Sequence, residues 1–229
     1  MDITDFLKGF SRVITLLLVL PLHETAHALV AKWFGDDTAE RQGRITLNPF
    51  AHLDPLGSIL IVLTGFGWAK PVPINPLRMK KYRAGIALTA LAGPVSNLLA
   101  SFVSILVWAV LLCTESGMTA WVTGEITPMY SVLMLLYFLF NVNIGLAMFN
   151  LIPVPPLDGF NVLRYFTGEK FDRWVYTHQQ YLQYGFLAVI LVLNYIPSKY
   201  NILSISTGFI SEKMFDLVFQ IPMHKWGIA

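Results

Sequence analysis

Four stretches of this chain, at about 7–34, 85–113, 129–152 and 181–196, are apolar over lengths near the roughly 20 residues that a helix needs to cross a bilayer. They constrain the fold more than any other feature, because backbone amides in hydrocarbon must find their partners within a helix or a closed barrel. Composition agrees. The chain of 229 residues is 55% hydrophobic and 13% charged, whereas soluble domains average about 25% charged. The expected fold is an all-α polytopic membrane protein with four to six transmembrane helices. A shorter run, 59–66, flanked by Gly57 and Gly67, is too short to span and is expected to form a re-entrant or β-like segment after the first helix.

Sixteen basic and fourteen acidic residues leave a net charge of +2, too little for a nucleic-acid footprint, and the apolar fraction excludes disorder. Position is more informative than the sum. Lys32, Arg41, Arg44, Lys70, Arg78, Lys80, Lys81 and Arg83 all lie between the first and second spans, while 114–127 holds two glutamates and no Lys or Arg. By the positive-inside rule the first connector is cytoplasmic and the second exterior, and the cations of 78–83 set topology. Arg164, Lys170 and Arg173 continue the bias after the third span. The stretch 205–223 is expected to be an interfacial amphipathic helix or a helix packed on the bundle. The start, Met1-Asp2-Ile3-Thr4-Asp5, is acidic where a signal peptide is basic, so the first span is expected to be retained. The expectation is one integral-membrane domain over 1–229 in the cell membrane, with a core at about 7–160 and C-terminal helices at about 178–229.

Within the first span lies Pro21-Leu22-His23-Glu24-Thr25-Ala26-His27-Ala28. Ionisable groups at bilayer depth are costly and mark function by default. His23 and His27, at i and i+4, share one helix face and can converge on one ion, and Glu24 lies beside the first of them without needing to ligate. This H-E-x-x-H spacing is the pattern of zinc hydrolysis, in which the metal acidifies a water and the glutamate takes its proton. Cys113 is the sole cysteine, so any metal is held by His and carboxylate. Two imidazoles leave a catalytic zinc short of its usual three protein ligands. Candidates for the third are His52, Asp54, Asp158, Glu169, Asp172 and His178. Asp158 is preferred, because Pro153, Pro155 and Pro156 force extended backbone after the third span and Gly159 allows a sharp turn after the carboxylate. Asp158 also falls at the cytoplasmic end of its span, the same side as His27. His52, in a turn built on Asn48-Pro49 and Asp54-Pro55, is its rival, or else a gate, a substrate-binding group or a turn residue. His178 and His224 read as interfacial.

Three motifs in this order resemble the site-2 protease family of intramembrane zinc proteases in its compact prokaryotic form, without PDZ or cystathionine-synthase-type domains. They are His23-Glu24-Thr25-Ala26-His27, Ala92-Gly93-Pro94-Val95-Ser96-Asn97, and Asn150 through Gly159 with its N-x-x-P-x-P-x-L-D-G type pattern. The resemblance implies one zinc ion held by His23, His27 and Asp158, Glu24 as general base, and Asn150 on the substrate backbone. It also implies a re-entrant segment after the first motif. Asn150 suits that role because its amide both donates and accepts. Asn97 either binds substrate or ties helix to helix. The expected activity is cleavage of membrane protein or peptide substrates at the cytoplasmic side of the lipid bilayer, with homo-oligomerisation left open. The alternative is a non-enzymatic membrane zinc-binding protein or metal transporter, which would have no need of Glu24.

Overall fold

The structure is a computed structural model, and it describes residues 10, 12–64, 67–178, 180–182, 184–186, 188 and 201–227. Among these residues every regular element is helical. Three helices are long and apolar enough to cross a membrane: α1 (Arg12–Trp33), α4 (Tyr82–Leu112) and α6 (Pro128–Asn150). They match the first three expected spans to within a few residues. Most of the fourth, 181–196, lies outside the described residues. Between them lie α2 (Thr38–Arg41), α3 (Pro55–Thr64) and α5 (Glu115–Thr123), and after them α7 (Asp158–Phe166), α8 (Glu169–Thr177) and α9 (Ile202–Trp226).

The sequence sets the ends and irregularities of these helices. Pro21 has no amide hydrogen to give the preceding turn, and a wide π turn, Thr15–Val19, sits just before it in α1. Thr127 precedes Pro128, and its hydroxyl accepts from Tyr130 N at 3.1 Å, so α6 starts with a side-chain cap and a proline in its first turn. The Asn201 side chain accepts from Leu203 N, and Gly227 at φ 64° closes α9 in a left-handed turn.

The described residues form two compact units. One comprises those within Met1–Ser96 and Phe149–Tyr195, the other those within Asn97–Met148 and Ile196–Ala229. The second unit packs around Trp108, which is fully buried with Ile105, Leu112, Leu133, Phe140 and Ile144. Trp121 meets Trp108 edge-on at 5.0 Å between ring centres. Helix α9 joins this core through Val218, Phe215 and Phe219, and Trp226 Nε1 donates to the Leu112 carbonyl at 2.9 Å. Of the two arrangements open for 205–223, the packed one is observed. In the first unit the buried apolar residues of the described chain are smaller and more scattered: Ala28, Ala39 and Val72 form one cluster, and Leu16, Val19, Ile61, Met79, Leu157 and Phe160 are buried elsewhere. This unit carries the residues of the site described next.

The candidate metal centre

His23 and His27 lie on one face of α1, both buried, their rings edge-on with centres 4.6 Å apart. His27 Nδ1 is 2.6 Å from the Thr89 carbonyl. A carbonyl can only accept, so Nδ1 carries the hydrogen and a neutral His27 aims the lone pair of Nε2 the other way. That lone pair meets Asp158. The carboxylate Oδ2 is 3.2 Å from His23 Nε2 and 3.4 Å from His27 Nε2.

Three potential ligand atoms therefore converge. With both imidazoles neutral and carrying their hydrogens on Nδ1, Oδ2 is buried without a hydrogen-bond donor, an arrangement that repels unless a cation lies among the three. The spacing discriminates further. Ligands about 2.0–2.1 Å from a tetrahedral zinc stand roughly 3.3 Å from one another, and the two His–Asp separations are 3.2 and 3.4 Å. One ligand atom from each of His23, His27 and Asp158 lies within 4.8 Å of the other two, so the donor set fits such an ion in chemistry and in size.

Two glycines let the backbone close on this centre. A Cβ on Gly93 of α4 would stand 2.5 Å from both His23 Nε2 and His27 Nε2, against the two imidazoles. Pro94 follows directly, inside the helix. A Cβ on Gly159 would collide with the carbonyls of Leu151 and Ile152, and nothing larger than hydrogen lets the start of α7 fold against the turn that follows α6. Gly159 was expected to serve a sharp turn. It lies instead within the first turn of α7, and its requirement is steric. Asp158, the first residue of that helix, is thereby delivered to the histidines.

The sequence profile of Peptidase family M50 matches residues 11–193. The chain belongs to this family. Three relatives are similar over much of its length. YwhC of Bacillus subtilis (strain 168), provisionally named a zinc metalloprotease, is 44% identical over 151 residues, 66% of either chain. Rip2 of Mycolicibacterium smegmatis, named in the same way, is 31% identical over 183 residues, 77% of this chain and 64% of its own. Rip2 of Mycobacterium tuberculosis (strain H37Rv) is 30% identical over 154 residues, 64% of this chain and 53% of its own. The chain thus spans just under two thirds of the first two relatives and about half of the third. No solved structure matches it.

The remaining candidates of this M50 chain have other partners. His52 is buried, with Nε2 2.8 Å from the Thr46 carbonyl and 3.5 Å from Thr25 Oγ1, where it fastens the 48–52 turn to α1. It is not among the converging ligand atoms. Asp54 accepts from Gly57 N at the start of α3, and Asp172 pairs with Arg83 and Arg164. Glu169 lies in the first turn of α8, and half-buried His178 stacks on Trp174. His224 lies in the last turn of α9. Asn97 is buried and its Nδ2 donates to Asn143 Oδ1 at 2.8 Å, while Asn150 ends α6 half-buried. Sequence reasoning passed over Thr89, which fixes the His27 tautomer, and Val72, whose amide donates to Glu24 Oε2 at 3.0 Å. The Gly93-Pro94 break and the Pro71-Val72-Pro73 alternation mark those places in the sequence.

Proposed function

We propose that the chain is a zinc endopeptidase that cleaves transmembrane or membrane-associated protein substrates, with His23, His27 and Asp158 as the ligands of one zinc and Glu24 as general base. The observation that carries this reading is the convergence of His23, His27 and Asp158, with both His–Asp separations near a tetrahedral edge, beside a carboxylate on the adjacent residue that is bonded elsewhere. When bound, zinc lowers the pKa of a water to about 7 and polarises the scissile carbonyl. Glu24 accepts the proton of the attacking water and returns it to the leaving amine. Thr89 holds His27 in the ligating tautomer. Asn150, at the end of α6, pairs with the extended substrate backbone. A transport site would have no use for the carboxylate of Glu24.

The same reading takes the run 59–66 as part of a re-entrant segment, in a fold of four to six spans with the site toward the cytoplasm. The 48–52 turn that leads into α3 is tied to Thr25 and Thr46, while the carbonyls of Val62 and Leu63 near the end of α3 accept from Arg12 at 2.6 and 3.1 Å. Thirteen helical residues separate Thr25 from Arg12, about 20 Å along α1. Gly67 then lies back against Gly57 and Ile61, which supports entry and return on one side.

Wild-type protein and Glu24→Gln, purified and incubated with a model membrane substrate, test the proposal. Zinc is expected in both, with cleavage falling about 10²–10⁴-fold in the variant. Equal cleavage would sink the protease reading. Metal analysis of Asp158→Ala and His52→Ala belongs to the same experiment: zinc is expected to be lost from the first and kept by the second, and the reverse result removes Asp158 from the ligand set.

A further inference from the structure

The segment 68–75 reads Trp68-Ala69-Lys70-Pro71-Val72-Pro73-Ile74-Asn75. It forms no helix, yet it is fastened along its length. Lys70 N donates to the His52 carbonyl at 2.8 Å, the Lys70 carbonyl accepts from Arg44 at 2.6 Å, and Asn75 N donates to the buried Asp36 carboxylate at 2.6 Å. Between these fasteners the Val72 side chain is buried with Ala28 and Ala39, against Ile45. Pro71 and Pro73 have no amide hydrogen. From Pro71 to Pro73 the segment therefore has one amide to give, that of Val72, and it gives it to Glu24 Oε2 at 3.0 Å.

This contact constrains a loose group. The terminal torsion of a glutamate is broad and nearly two-fold, so a carboxylate beside a metal centre presents either oxygen at a range of angles unless something holds it. An amide donating to an ionised carboxylate is among the stronger hydrogen bonds available. It engages Oε2 and leaves Oε1 to act. The flanking prolines fix the backbone that aims it, and the three fasteners fix the prolines.

We infer that the Val72 backbone amide is a positioning group for Glu24, holding one carboxylate oxygen so that the other faces the proton it must take. The inference rests on the general-base reading of Glu24 above.

The decisive change replaces the Pro71–Val72 amide by an ester in the full chain, which removes the one N–H and keeps every side chain. The expected result is a kcat about 10–100-fold lower, with KM and bound zinc unchanged within about twofold. The same ester at Ile74 is the control and should leave kcat within about twofold. A kcat unmoved by the Val72 ester overturns the inference. So does a loss confined to KM, which would make the amide a substrate contact, or a loss of zinc, which would make the segment structural. A second measurement needs neither activity nor metal. Labelling with 13C-carbonyl proline and 15N valine selects three amides, those of Val72, Val95 and Val154. In wild type the Val72 proton should resonate downfield of its position in Glu24→Ala, and a resonance that stays in place also overturns the inference. A Glu24→Gln protein that cleaves at the wild-type rate brings down the general-base reading and this inference together. A silent ester where Glu24→Gln is inactive brings down this inference alone.

Discussion

The two compact units are held by different physics. In the unit that carries the metal centre, positions are fixed by polar atoms with assigned partners and by backbone approaches that admit only glycine: His27 on Thr89, Val72 on Glu24, Asn75 on Asp36, and Gly93 against both imidazoles. In the other, large side chains fill volume, with Trp108, Phe140, Leu112 and Leu133 all but inaccessible and Phe215 stacked on Phe219 at 4.9 Å. A bilayer supplies little hydrophobic drive between helices, since lipid tails are as apolar as leucine. Tight packing can hold helices together there, but it cannot place a carboxylate to a few tenths of an ångström beside two imidazoles. Geometry in this chain is therefore set by hydrogen bonds, prolines and glycines, and cohesion by aromatic volume. Substitutions in the first unit should change chemistry more than stability, and those in the second the reverse.

Gly93→Ala offers the largest break in that contrast. Its Cβ would stand 2.5 Å from both Nε2 atoms. The variant is expected to lose more zinc affinity than the about 10–100-fold that removal of a supporting partner costs, measured by competition with a chelator. Its thermal unfolding in metal-free form should stay close to wild type. Zinc retained at wild-type affinity would mean that the three ligand atoms do not converge where they stand.

Trp108→Ala should do the opposite. Removing roughly 140 Å³ of buried side chain, at about 24 cal/mol per Å³ of residual cavity, costs about 3 kcal/mol if the site does not collapse. Zinc content should be unchanged. Trp108→Phe sharpens the point, because the indole Nε1 is buried without a hydrogen-bond partner among the described residues. Losing that donor offsets part of the lost packing, so Trp108→Phe should cost much less. A zinc loss in either variant would show that cohesion and geometry are not separable.

How far the site was legible in the sequence follows the same division. The i, i+4 histidines with an adjacent glutamate announce themselves, because ionisable groups in an apolar helix have no bland explanation. Asp158 could be ranked above its rivals from the prolines before it and the side of the membrane on which it falls. The three long helices were legible from length and hydropathy. What escaped was contact between parts distant in sequence. Nothing local says that Thr89 turns its carbonyl to a ring 62 residues earlier, or that Val72 reaches a carboxylate 48 residues away. Gly93 was visible within a motif, but its requirement is a clash with two side chains of another helix. His52 stayed open for a related reason: the histidine of a structured turn looks the same in sequence whether it binds metal or ties the turn to Thr25 and Thr46, the contacts it makes here.

Asn97 provides the finest test, because it is a polar residue in the unit where volume dominates. It was open to two roles from sequence, and the structure gives it 0% exposure with Nδ2 donating to Asn143 Oδ1 at 2.8 Å, while Asn143 Nδ2 donates to the Leu139 carbonyl within its own helix. If the pair is cohesive, a double-mutant cycle of Asn97→Ala and Asn143→Ala should return a coupling of about 0.6 kcal/mol, the mean for hydrogen bonds between membrane helices, where the loosened state also finds partners. KM for the membrane substrate should then move less than about twofold in either single variant. A KM that rises several-fold in Asn97→Ala with negligible coupling to Asn143 would instead make Asn97 a substrate contact. The division between a unit of geometry and a unit of cohesion would then have to be drawn elsewhere than between the two compact units.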